Sequence, residues 1–272
     1  MVNERRGRAL TIALALLLGC CSATAAERLK IGGAGAALGT MQLLANEFNA
    51  RNPDVLVTTV PSLGSLGGIR AMLDGVIELA VTSRPTNATE RELGVVEMEY
   101  ARTPFVFAVS ANSTVGSISS RELADIYAGT MKAWPDGKPV RVVLRPASDF
   151  DTELIKMISP GVREGVMAAQ ARPGVRLSVN DQDAANDIEK IAGAIGPSTL
   201  ALIVSENRPL KAVMLDGAVP TPANAASGAY PYHKRLFLVT RAKPSAVVMR
   251  FIAFVQSRAG RKILISNGQW VP

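Results

Sequence analysis

The chain has 272 residues, 48% of them apolar, with 30 Lys and Arg against 23 Asp and Glu, one His and two Cys. That length supplies one large or two small domains with a full core, and the formal charge of +7 suits anionic ligands without diagnosing them. Aromatic residues make up only 5% and the cations are scattered rather than striped, which disfavours nucleic acid as a partner.

Arg5, Arg6 and Arg8 precede an apolar run over residues 9–18, and Ala23-Thr24-Ala25 supplies a small-residue cleavage pattern. Residues 1–26 therefore read as a secretory signal peptide, which implies a periplasmic, exported protein. The run is too short to remain as a membrane-spanning helix. Leu17-Leu18-Gly19-Cys20 also resembles a lipobox, in which Cys20 would carry a lipid anchor. Both cysteines, Cys20 and Cys21, lie in this segment, so the exported domain is expected to hold no disulfide. Removing the segment's three Arg and one Glu leaves about 246 residues with a formal charge of about +5.

The exported part opens with a strand at 29–32, a small-residue loop at 33–40 (Gly33-Ala34-Gly35-Ala36-Ala37-Leu38-Gly39-Thr40) and a helix at 41–48. A second strand at 55–60 leads through Gly64-Ser65-Leu66-Gly67-Gly68 into a helix at 69–73. A third, at 77–81, ends in Thr82-Ser83-Arg84-Pro85. Helix N-termini carry amides without intrahelical acceptors and the positive end of the dipole. In an open parallel sheet such ends converge on one crevice. Three loops of this kind form an expected oxyanion cradle.

Strand and helix signals alternate through the remainder, which argues for α/β architecture. Strands are expected at 103–110, 141–144, 211–215 and 235–240. Helices are expected at 120–128, 152–158, 162–171, 184–191, 244–257 and 259–266. The strand at 141–144 ends in Arg145.

Taken in order, Gly33-Ala34-Gly35, Gly64-Ser65-Leu66-Gly67-Gly68, Ile126-Tyr127-Ala128-Gly129 with Trp134, Arg145, and Ser227-Gly228-Ala229-Tyr230-Pro231 resemble the phosphate-binding, PstS-like branch of the type II periplasmic binding proteins. The resemblance covers nearly the whole exported chain. It implies a type II periplasmic binding protein fold, two α/β lobes joined by two crossover strands near 103–110 and 232–240, with ligand in the cleft between them. Lobe 1 is then 27–108 with 236–272, and lobe 2 is 109–235. It further implies a monomer that captures phosphate or a related oxyanion for an ABC permease, without catalysis, cofactor or metal.

Carried over residue by residue, the resemblance makes Ser65 the serine of the family's glycine-rich loop and Arg145 its phosphate-pairing arginine. Ala37 and Leu38 stand where the family has Thr and Phe, leaving backbone amides, with Thr40 nearby as a substitute hydroxyl. Ser83, next to Arg84, occupies the place of an aspartate that accepts a phosphate proton. The family's Gly-Ser-Gly-Thr reads Ser148-Asp149-Phe150-Asp151-Thr152 here, the largest departure. Asp149 and Asp151 have two readings: a replacement proton acceptor, or a helix cap and first-turn acid.

Rival classes fit less well. A dinucleotide-binding enzyme would need Gly-x-Gly-x-x-Gly and an acid after the second strand, but the spacing differs and Ser62 stands there. A hydrolase would need a nucleophile and base, and the single histidine, His233, has no Gly-x-Ser-x-Gly elbow to serve. A solute-binding fold used as a sensor or surface interaction protein with another small anionic ligand shares every feature above.

Overall fold

The computed structural model describes residues 26–272; residues 1–25 of the expected signal peptide, with the expected lipid-anchor Cys20, lie outside the described residues. In chain order the elements are β1 (Glu27–Gly33), α1 (Gly35–Arg51), β2 (Val55–Thr59), α2 (Gly64–Leu73), β3 (Leu79–Thr82), α3 (Ala88–Glu92) and β4 (Val95–Ser110). Then come β5 (Ser117–Ile118), α4 (Ser120–Ala128), β6 (Arg141–Leu144), α5 (Phe150–Lys156), α6 (Pro160–Ala171), β7 (Arg176–Leu177), α7 (Asp181–Lys190), β8 (Ala194–Thr199) and α8 (Leu200–Ser205). The chain closes with β9 (Leu210–Ala212), β10 (Met214–Leu215), α9 (Pro222–Ser227), β11 (His233–Arg241), α10 (Ala246–Gln256) and α11 (Arg258–Ser266). Among the described residues no helix is long and apolar enough to cross a membrane.

The main sheet runs β2-β1-β3-β11-β4-β8-β6-β7, with β9 also on β4. β1 pairs in parallel with β2 and β3, as does β6 with β7 and β8, while β11 is antiparallel to β3 and β4. β4 is shared between the two halves. Its residues 95–104 pair with β11, whereas Phe105 to Ala108 pair with β8. Two α/β lobes result, each with its own core. One packs α1, α10 and α11 on Leu29, Ile31, Leu236 and Leu238; the other centres on Phe105, Phe107, Tyr127 and Trp134.

Local chemistry explains most boundaries. α4 starts with a capping box, Ser119 and Glu122 each bonding the other's backbone amide, and stops at Gly129 in the left-handed region. Expectations fail in three places: the strand expected at 211–215 is split between β9 on β4 and β10 on β5, α2 begins at Gly64 rather than at 69, and α1 starts early as well. Residues 33–40 are not a loop: α1 begins at Gly35, six residues before the expected start. Ala36, Ala37, Leu38 and Met41 all favour helix, and burial of this stretch in the core outweighs the cost of Gly39. Gly39 is needed for a different reason. A Cβ there would lie 2.3 Å from Ser205 Oγ, so the glycine admits the close approach of α8.

α2 sits as tightly on β1. A Cβ on Gly68 would lie 2.6 Å from the Gly33 Cα, backbone against backbone, so glycine at 68 lets the helix reach the sheet. Gly68→Ala should displace α2 and lower stability by about 1–3 kcal/mol, read by urea denaturation. Unchanged stability would show that the helix–sheet contact yields freely.

Candidate functional site

A cleft of about 340 Å3 opens where the lobes meet, lined by the start of α2, the loop after β3, the loop from β6 into α5, the start of α7, and Lys234 of β11. Four helix N-termini come close to it, and their caps differ: α7 is capped by Asn180, whose side chain accepts the Asp183 amide at 2.8 Å. α5 is capped internally, since the Asp149 carboxylate accepts the Asp151 amide at 2.9 Å. α1 has no side-chain cap at Ala34, but the Asp181 carboxylate of the other lobe stands against its start, where the Ala36 amide helps to hold that carboxyl low. α2 has no side-chain cap at Leu63, and its first-turn residues Gly64, Ser65 and Leu66 line the cleft. The α2 amides therefore face the cleft with their donors unused by a cap.

Hydroxyls gather at that end. Ser65 Oγ accepts the Ser83 amide at 3.1 Å and lies 3.4 Å from Ser83 Oγ, which links the glycine-rich turn to the end of β3. Arg84 also lines the cleft, but its guanidinium grips Glu90 with two bonds of 2.9 and 2.6 Å. That pair neutralises Arg84 and holds the Glu90 carboxyl below its usual range.

The opposite wall is charged and buried. Arg145, with its side chain 3% exposed, donates to Ser178 O at 3.0 Å and to Asp149 Oδ2 at 2.8 Å; its Nε lies 3.9 Å from Asp151. That Nε has no hydrogen-bond partner among the described residues. Lys234, almost fully buried on β11, pairs with Asp151 and lies 3.4 Å from Asp181. Burial pushes the Asp151 carboxyl up to about 6, with repulsion from Asp181 and Asp149 adding to it and attraction from Lys234 opposing it. Asp181, buried too, is held low because Lys234, Arg145 and the Ala36 amide outweigh its desolvation. Three cations and four carboxylates (Asp149, Asp151, Glu153 and Asp181) line the cleft in all.

Of the residues singled out from the sequence, Ser65, Ser83, Arg84, Arg145, Ser148 and Asp149 line the cleft. Ala37, Leu38 and Thr40 do not. The early start of α1 turns Ala37 and Leu38 into its core, and the buried Thr40 Oγ1 accepts from Gln269 Nε2 at 2.7 Å. Thr152 is also displaced: its hydroxyl donates to Pro146 O at 2.9 Å, tying down the turn before α5. Sequence reasoning missed Lys234 and Asp181 as site residues. The strand's alternation does put Lys234 on the same inward face as Leu236 and Leu238, and a lysine on such a face calls for a buried partner. For Asp181 the sequence shows only an acid in the first turn of a helix.

A family model described as a PBP superfamily domain matches residues 21–259. The chain belongs to the PBP superfamily. Among curated relatives, the phosphate-binding protein PstS of Bacillus subtilis is 24% identical over 260 residues, covering 91% of this chain and 81% of that protein. The PstS of Borreliella burgdorferi is 23% identical, with 94% of each chain covered. A Clostridium perfringens structure, assigned as a phosphate ABC transporter substrate-binding protein and crystallised with bound phosphate, superposes with TM-score 0.76. It is 22% identical over 90% of this chain and 100% of that one, a likeness of fold.

Lys234→Met would leave Asp151 and Asp181 buried without their shared cation, at a cost of about 3–5 kcal/mol near pH 7. Acid protonates both carboxyls and removes their mutual repulsion, so the deficit should shrink between about pH 7 and pH 5. Paired urea titrations of wild type and variant at the two pH values measure it. A deficit independent of pH would mean that the lysine acts through packing alone.

Proposed function

We propose that the protein is an exported solute-binding protein that captures a small oxyanion, with phosphate the leading ligand, and delivers it to an ABC permease without catalysis. The lobe division at 27–108 with 236–272 against 109–235, a monomeric state and a periplasmic location belong to the same proposal. The observation that carries it is the cleft's polar pair: an α2 N-terminus with unused amides and two hydroxyls on one lobe, facing a buried arginine with an unused Nε on the other. An anion seated between them would bond both lobes, as a hinged binding protein requires. The PstS relatives, both phosphate-binding proteins, support phosphate specifically.

The carboxylates constrain how such an anion enters. Asp149, Asp151 and Asp181 face Arg145 and Lys234, so with all five ionised the site is already negative by one. A dianion then meets like charge in a low-dielectric cleft, and the repulsion is relieved by protons. Asp151, titrating near 6, takes one, and phosphate carries another. Phosphate affinity should rise as pH falls from about 8 to about 6, with proton uptake visible as a buffer-dependent calorimetric enthalpy. A flat or reversed profile would contradict this charge balance.

Sulfate brings no proton at these pH values and should bind more weakly than phosphate. Asp149→Asn removes the acid bonded to Arg145 and should admit sulfate. Ser65→Ala removes one ligand hydroxyl and should weaken phosphate by about 1 kcal/mol. Calorimetric titration of phosphate and sulfate into wild type and both variants tests the reading, and wild-type binding of neither anion would overturn it.

A further inference from the structure

The lobes join where β4 changes partner, from β11 up to Pro104 to β8 from Phe105. Residues 267–272, which follow α11 of the first lobe, lie across that point. Trp270 exchanges both backbone bonds with Arg102 of β4, each 2.9 Å, and Gln269 Nε2 donates to Thr40 Oγ1 of α1 at 2.7 Å. The same tail also touches the second lobe. Gly268 sits in the left-handed region at φ 73°, and a Cβ on it would lie 3.0 Å from the Leu200 carbonyl at the start of α8. The Trp270 ring packs on the second lobe's core and stands edge to face with His233 at 5.4 Å. One fully buried hydroxyl ties the three pieces together: Thr103 Oγ1 donates to Gly268 O at 2.9 Å and accepts the Ala201 amide of α8 at 3.0 Å. Ala201 is in the first turn of α8, where amides lack intrahelical acceptors, so moving α8 away from β4 breaks a bond that must be replaced. Gln269 Oε1, by contrast, is buried without a partner among the described residues, a cost borne while the tail is seated that makes its release easier.

We infer that residues 267–272 form a strap across the hinge, clasped by the Thr103 hydroxyl, which favours the arrangement of the lobes seen here over a more open one. This rests on the hinged capture proposed above. Thr103 is then a positioning residue. Its register partner on β11 is Lys234, which lines the cleft, whereas Thr103 itself does not. It acts on affinity by setting the fraction of molecules whose lobes already stand at the binding angle.

The test pairs small-angle scattering of the ligand-free protein, which reads the lobe angle without any ligand, with calorimetric titration of inorganic phosphate. Thr103→Val removes the hydroxyl, Thr103→Ser retains it, and Trp270→Ala loosens the tail while leaving Thr103 in place. Thr103→Val and Trp270→Ala should each raise the ligand-free radius of gyration and weaken phosphate by about 3–30-fold, with saturating phosphate restoring the wild-type radius. Thr103→Ser should behave as wild type in both measurements. Thermal melts identify the folded variants, and if Thr103→Val does not fold, Trp270→Ala decides. Folded variants of lower stability with wild-type radius and affinity would overturn the strap, leaving the tail as packing alone. If the wild type binds no phosphate, the capture reading falls, and the ligand-free radius still decides the strap.

Discussion

Three buried charged groups from three separate elements meet at one point: Lys234 of β11 between Asp151 of α5 and Asp181 of α7. Each would be costly alone in a dry interior, and the ammonium is tolerable only because both carboxylates are present. That mutual requirement fixes where α5 and α7 stand relative to β11. It also reaches into the first lobe, because Asp181 stands against the start of α1, beside the Ala36 amide. Gln182, the next residue, donates to Gly35 O at 3.1 Å across the lobes and is held from its own lobe by a bond to Glu206 at 2.8 Å. The cleft inherits its shape from this cluster.

Its charge follows from the same source. A helix N-terminus attracts whatever acceptor the fold brings to it, and of the four near the cleft α5 is capped by Asp149, α7 by Asn180, and α1 has Asp181 beside it. α2 has no side-chain cap, and its first turn lines the cleft. The two cations deepest in the site are likewise engaged, Arg145 by Asp149 and Lys234 by the aspartate pair. A ligand therefore meets a preorganised but nearly neutralised wall opposite a hydroxyl-lined one. Selectivity must arise from the few groups with capacity left, namely Ser65, Ser83, the α2 amides and one edge of a guanidinium.

Much of this was legible in local sequence. The strand at 141–144 and the helix at 120–128 match β6 and α4 because each is bounded by chemistry of its own: Arg145 and a proline at one, a capping box and a left-handed glycine at the other. Ser65 was marked by the glycines around it, and α2 does begin in that run. The helical start of α1 was misplaced because glycine and alanine runs satisfy both loop and helix. Packing against α8 decided between them, and with it went the roles expected for Ala37, Leu38 and Thr40. Asp149 does cap α5, yet the same carboxylate also lies on Arg145, a second role that no local pattern separates from the first.

The sequence by itself determined the alternating α/β plan, the glycine-rich turn that opens α2 and the arginine at the end of β6. Those features depend on periodicity, capping and turn chemistry, which act among near neighbours. Only the tertiary structure decided which helix start stays open, that Arg84 is taken by Glu90, and that Lys234 and Asp181 belong to the site. The choice of partner for a buried charge is made by desolvation, which acts only once the fold has assembled. Lys234 and Asp181 are 53 residues apart in the chain and have no local reason to meet. Burial leaves them no other way to be satisfied.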